Sequence, residues 1–109
     1  MKKLLALVLI VALAGVAGAV AIPAFAATRT VKLGDNFFKP RSVSVKRGTK
    51  VVFKWTGSAP HNVTVTKGPK KFHSKTQTKG SYKVTPHTKG TYRIVCTIHA
   101  GMTMKLKVR

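Results

Sequence analysis

Hydrophobic and polar residues alternate in short runs along residues 28–109, and no long helical periodicity appears there. In the stretch TKVVFKW (49–55), Val51, Phe53 and Trp55 share one face of an extended chain and lysines take the other. Alternation of this kind is typical of strands with one buried face. Similar runs predict strands at residues 42–45, 61–65, 91–96 and 102–109.

Gly-, Pro- and Lys-rich turn signals separate these runs. They lie at residues 46–48, 56–60, 67–70, 78–80 and 88–90. Most of residues 64–80 is Lys- and Thr-rich, poorly patterned and predicted to be loop. Many short strands at this spacing predict an all-β fold, either a β-sandwich or a small barrel.

The first 26 residues have a different pattern, with Lys2 and Lys3 before an apolar run over residues 4–22. Ala24, Phe25 and Ala26 then match the small-residue pattern of a secretory cleavage site. We therefore expect a signal peptide over 1–26 and one domain over 27–109, exported to a periplasmic, cell-envelope or extracellular location. The alternative is an uncleaved membrane anchor, because about 18 or more apolar residues can span a bilayer.

The charge balance is extreme, with 21 Lys and Arg against one acid, Asp35, and a net charge of +20. Without Lys2 and Lys3, residues 27–109 keep 19 basic residues and a net charge of +18. Such a field attracts acidic proteins and anionic surfaces, although it can also serve only to keep a protein soluble. No helix-turn-helix, zinc-finger or RNP pattern is present in the sequence, so no specific nucleic-acid partner is expected.

Candidate chemistry is concentrated in the stretch CTIHAGM, which places Cys96, His99 and Met102 within seven residues. Cys96 is the only cysteine, so an intrachain disulfide is excluded. These residues are compatible with an ordinary strand end and turn, or with most of a metal site. No carboxylate pair and no Ser-His-Asp set can be assembled around the single acid, so we expect no enzyme activity.

Together with His61, this stretch offers two imidazoles, a thiolate and a thioether. That donor set describes a mononuclear blue-copper electron-transfer site. Cys96 is predicted at the end of a strand, His61 at the start of another, and His99 and Met102 in the turn before the last strand. The four side chains can meet at one end of a sandwich if the strands carrying His61 and Cys96 are neighbours.

The sequence resembles the cupredoxins, the small blue copper proteins of the plastocyanin, amicyanin and pseudoazurin type, over about residues 31–108. The resemblance is carried by DNFFKPRSVSVKRGTKVVFKW, by APHNVTV and by KGTYRIVCTIHAGMTMKLKV. It implies a small Greek-key β-sandwich that binds one type 1 copper ion per chain. The ligands that it implies are His61, Cys96, His99 and Met102.

The resemblance also implies that Asn62 ties the two ligand loops together and hydrogen-bonds near the cysteine sulfur. For the axial ligand, Met104 would satisfy the longer interval of plastocyanin-like sites. Aligning the last strand favours Met102 and leaves Met104 facing the core. Ile98 stands where the family usually has Pro.

We therefore expect an exported, monomeric one-electron carrier that uses the exposed edge of His99 and meets an acidic redox partner or an anionic envelope surface. Membrane association is expected only if the leader stays uncleaved. The first alternative is a copper-delivery protein without electron transfer. The second is a cationic binder of anionic polymers or membrane with a vestigial site. His73 and His87 are interpreted as surface residues.

Overall fold

Eight strands and no helix make up residues 27–109, the part of the chain that this computed structural model describes. The predicted signal peptide and its cleavage site lie outside the described residues. Within the described range, no helix is long and apolar enough to cross a membrane. The strands are β1 (Thr28–Gly34), β2 (Phe37–Lys39), β3 (Ser42–Val45), β4 (Lys50–Trp55), β5 (Thr64–Lys67), β6 (Ser81–Val84), β7 (Gly90–Val95) and β8 (Thr103–Val108).

The strands form two four-stranded sheets, in the orders β2-β1-β4-β6 and β3-β8-β7-β5. Each sheet is mixed, because β1 pairs in parallel with β4 and β3 in parallel with β8, whereas the other pairs are antiparallel. The predicted all-β class is confirmed, and the arrangement is a sandwich. The neighbours β5 and β7 are the strands that bring the His61 and Cys96 segments side by side.

The core lies between the sheets and takes every second residue of the long strands. In β4, Val51, Phe53 and Trp55 are buried, as their alternation with lysine predicts. In β8, every second side chain is likewise buried. The alternation therefore determines which face of each sheet is buried. The apolar face packs in the core and the charged face contacts water.

The structure departs from the sequence prediction at several strand boundaries. The strand predicted over 61–65 begins only at Thr64, and His61 makes an isolated bridge to Gln77 instead. The backbone of His61 is thus held by a loop and not by the neighbouring strand. β1 and β2 were not predicted, because β1 alternates only in its second half and β2 has three residues.

Replacing Phe53 by Ala tests the predicted core. Its side chain is fully buried and lies 6.2 Å, between ring centroids, from Tyr82. We expect Phe53→Ala to lower the free energy of unfolding by about 3–5 kcal/mol, measured by urea denaturation. Phe37→Ala is the control, because Phe37 is 46% exposed, and it should lose only about 1 kcal/mol. Equal losses at the two positions would contradict this assignment of the core.

Candidate metal centre

The predicted metal-binding residues meet at one end of the sandwich, which we call the donor end. It is formed by the β1–β2 turn (35–36), the β4–β5 loop (56–63) and the β7–β8 turn (96–102). In the β4–β5 loop, the backbone of His61 exchanges two hydrogen bonds of 3.0 Å with Gln77. The indole nitrogen of Trp55 donates to the carbonyl of His61 at 3.1 Å. These bonds fix the histidine although it lies outside any strand.

The β7–β8 turn is closed by its own backbone. The amide of Cys96 donates to the carbonyl of Met102 at 3.0 Å, that of His99 to Cys96 at 3.4 Å, and that of Met102 to His99 at 3.3 Å. Gly101 has a φ of 81°, in the left-handed region that favours glycine. The sequence therefore folds locally into a tight turn that presents three candidate ligands from seven residues.

Three donor atoms converge within this end. His61 Nδ1 lies 3.2 Å from His99 Nδ1 and 4.0 Å from Cys96 Sγ, and His99 Nδ1 lies 3.4 Å from Cys96 Sγ. A metal bonded to nitrogen and sulfur at about 2.0–2.3 Å brings its donors to about 3–4 Å from one another. The spacing therefore fits a single metal ion between the three atoms. His61 and Cys96 are buried, and His99 is partly exposed.

The two methionines differ in their place relative to Cys96. β7 and β8 pair Ile94 with Met104 and Val95 with Thr103, so the same register continues to Cys96 and Met102. Met102 is 1% exposed and belongs to the turn that carries the other donors. Met104 lies opposite Ile94, two residues further along the sheet, and is buried in the core.

Asn62 links the loop of His61 to the residue that follows Cys96. Its Oδ1 accepts from the amide of Thr97 at 3.1 Å and from the hydroxyl of Thr64 at 2.8 Å. Its Nδ2 donates to the hydroxyl of Thr97 at 2.8 Å and to that of Thr76 at 3.0 Å. Asn62 therefore ties the two loops together, as expected from its position after the first histidine.

Asp35 is a residue of this end that the sequence reasoning missed. Its Oδ1 lies 3.2 Å from His61 Nε2, the ring nitrogen that faces away from Cys96. The amides of Ala59 and Ser58 also donate to the carboxylate, at 2.9 Å and at 3.1–3.2 Å. Hydrogen bonds lower the pKa of Asp35 to about 2. The Ala59 amide contributes most, followed by the Ser58 amide and the His61 side chain. The sequence did offer one indication that Asp35 has a specific role, because it is the only acidic residue in the chain.

The other two histidines lie apart from this group. His73 forms a bridge with Thr64 near the start of β5, and both His73 and His87 are exposed. Among residues 27–109, the histidine, cysteine and acidic side chains placed to share a metal are those of His61, Cys96 and His99.

Residues 26–109 match the family model of copper binding proteins of the plastocyanin/azurin family. The chain belongs to this family. It is 36% identical to plastocyanin of Prochlorothrix hollandica over 108 aligned residues, which cover 88% of this chain and 82% of that protein. It is also 34% identical to plastocyanin A/B of Petroselinum crispum over 92 aligned residues, covering 72% of this chain and 95% of that protein. The predicted resemblance to plastocyanin-type cupredoxins is confirmed.

Solved structures of the same fold include a reduced amicyanin variant. It superposes with a TM-score of 0.68 at 26% identity, over 80% of this chain and 89% of that one. A copper-containing nitrite reductase from Thermus scotoductus SA-01 superposes with a TM-score of 0.66 at 24% identity, which shows the shared fold. This cupredoxin chain spans only 22% of that larger protein.

Removing the amide of Asn62 tests the link between the loops of this cupredoxin. Asn62→Ala leaves the Thr97 amide without its acceptor, so we expect the metal-free protein to lose about 1–3 kcal/mol of unfolding free energy. Thr66→Ala, which removes an exposed 3.4 Å bond between the adjacent strands β5 and β7, should change stability by less than about 0.5 kcal/mol. Thermal or urea unfolding measures both values. Indistinguishable variants would mean that Asn62 does not hold the two loops.

Proposed function

We propose that this cupredoxin is an exported one-electron carrier in which His61, Cys96, His99 and Met102 hold one type 1 copper ion. The observation that carries the proposal is the convergence of two imidazole nitrogens and one sulfur, each within 4.0 Å of the others. The bound copper would supply the chemistry by alternating between Cu(II) and Cu(I). The protein supplies a donor arrangement that suits both states, so little has to move when an electron arrives or leaves.

Burial of the donors favours electron transfer over copper delivery. His61 is fully buried and Cys96 is 3% exposed, so neither reaches an incoming protein that would take the metal. The Trp55 and Gln77 bonds to the His61 backbone also keep this histidine from swinging out. A delivery protein needs ligands that can be exchanged for those of the acceptor, and this loop offers no such freedom.

His99 is the ligand through which we propose that electrons enter and leave. It is partly exposed, whereas the other three proposed ligands are buried. Its sequence neighbours Ile98 and Ala100 are exposed, and Ile98 has half of its surface in water. With Pro60, they give the donor end an apolar rim against which a partner can dock weakly and exchange quickly.

Met102 is the proposed axial ligand, because the β7–β8 register continues to it opposite Cys96. Met104 lies opposite Ile94, and it would have to leave the core to reach the donor atoms of His61, Cys96 and His99.

Adding Cu(II) to the purified protein tests the proposed centre. We expect an intense blue thiolate-to-copper absorption band and a narrow copper hyperfine splitting in the EPR spectrum. Cys96→Ala should lose both, because the thiolate is their source. Met102→Leu should shift the spectrum and the reduction potential, whereas the matched variant Met104→Leu should leave them near the wild-type values. Colourless wild-type protein would refute the proposal, and the reverse methionine result would reassign the axial ligand.

We further propose that an acidic redox partner docks at the donor end. Lys75 and Lys79 are exposed and flank Gln77, which is bonded to the His61 backbone. In the described residues, the only acidic side chain is Asp35, and it is engaged by His61 and the β4–β5 loop. No carboxylate side chain is therefore left to mask these lysines, and their charge adds to the positive field that an anionic partner meets at the donor end.

Two double variants of equal charge separate docking at the donor end from general attraction. Lys75→Gln with Lys79→Gln removes charge beside His61, whereas Lys46→Gln with Lys89→Gln removes it at the opposite end, where β3 ends and β7 begins. The probe is oxidation of the reduced copper protein by hexacyanoferrate(III), an anionic one-electron acceptor, followed by stopped flow.

The wild-type rate should fall as salt rises, because opposite charges are screened. At low salt the donor-end pair should slow oxidation by about two- to fivefold and the far-end pair should have a much smaller effect. Equal slowing by the two pairs would indicate attraction by net charge alone. An oxidation rate that does not depend on salt concentration would contradict electrostatic docking.

A further inference from the structure

Asp35 and His61 are 26 residues apart in the chain, and their side chains meet at the donor end. The two ring nitrogens of His61 face different partners. Nδ1 points to Cys96 Sγ and His99 Nδ1, whereas Nε2 lies 3.2 Å from Asp35 Oδ1. A metal-bound histidine usually donates its second ring N–H to a carboxylate or a carbonyl, which fixes its tautomer and ring orientation.

The carboxylate of Asp35 is itself held in place. Ala59 and Ser58 donate backbone amides to it, and the hydroxyl of Ser58 lies 3.3 Å from Oδ2. These donors belong to the same loop as His61, so the β1–β2 turn and the β4–β5 loop are joined through one side chain. The position of Asp35 relative to the imidazole is thus set by bonds other than its contact with the imidazole.

Gly57 is fitted to this carboxylate. A Cβ atom at position 57 would lie 2.2 Å from Asp35 Oδ1 and 2.6 Å from its Cγ, distances that no real contact allows. No left-handed backbone conformation accounts for this glycine. Position 57 therefore has to lack a side chain because the carboxylate occupies the space.

We propose that Asp35 is a positioning residue of the metal centre, which accepts the Nε2–H of His61 and so presents Nδ1 to the metal with its lone pair free. This inference rests on the proposed copper site. The negative charge beside the ring also makes the imidazole a stronger donor, which favours Cu(II) over Cu(I). Losing it should therefore weaken copper binding and raise the reduction potential.

The alternative is that Asp35 only caps the β4–β5 loop. Four variants distinguish the two roles. Asp35→Asn keeps an acceptor for the Ser58 and Ala59 amides but loses the charge, and Asp35→Ala loses both. Gly57→Ala leaves Asp35 in the sequence, but the added methyl group occupies the space of its carboxylate and displaces it. Thr56→Ala is the matched control, because it breaks a 3.2 Å bond from the β4–β5 loop to the Leu33 carbonyl, two residues before Asp35, without touching His61.

The first measurement is NMR of isotope-labelled histidine in the metal-free protein. Wild-type His61 should show a single Nε2–H tautomer whose proton exchanges slowly with solvent, and Thr56→Ala should match it. Asp35→Ala and Gly57→Ala should show mixed tautomers or fast exchange, with Asp35→Asn in between. The second measurement is copper affinity by competition, which should fall by about 10- to 100-fold in Asp35→Ala. The third is the reduction potential, which should rise.

If wild-type protein binds copper and the Asp35 and Gly57 variants lose only thermal stability, the positioning role is wrong and the proposed function stands. If wild-type protein binds no copper, the proposed function fails and the positioning role falls with it. A His61 tautomer that is the same in wild type and Asp35→Ala also overturns the proposal, whatever the copper measurements show.

Discussion

The donor end depends on two hydrogen bonds between the side chain of Asn62 and Thr97. Regular pairing of β5 with β7 starts only at Thr64 and Val95, so beyond that point no strand pairing connects the His61 loop to Cys96. The Asn62 amide replaces it, meeting the Thr97 backbone at 3.1 Å and its hydroxyl at 2.8 Å. The spacing between the His61 imidazole and the Cys96 thiol follows from this tie, because His61 directly precedes Asn62 and Cys96 directly precedes Thr97.

The many basic residues on the surface lower the stability of both sheets. Lys32 lies opposite both Lys39 and Lys54, and Arg93 lies opposite Lys105 in the other sheet. Like charges facing each other across strands destabilise a sheet. The one carboxylate side chain that could relieve them points instead to His61. An anionic partner would screen this repulsion, which agrees with the proposed docking of an acidic protein.

The sequence was sufficient for features that depend on local pattern. Alternation predicted β4 and β8, and the CTIHAGM spacing placed Cys96, His99 and Met102 in one closed turn. Asp35 could not be found in this way, because its contact with His61 joins loops 26 residues apart and is set by sheet order. The late start of β5 also escaped prediction, since the alternation of His61 with Val63 and Val65 imitates a strand while Gln77 holds the histidine backbone.

We propose that the fold holds two imidazoles and one thiolate in an arrangement that accepts a copper ion in either oxidation state. X-ray absorption at the copper edge of the oxidised and the reduced protein measures this arrangement. We expect two nitrogen donors and one sulfur donor at about 2.0–2.3 Å in both states, with little change between them. A shell of nitrogen and oxygen alone, or one that exchanges ligands on reduction, would contradict it.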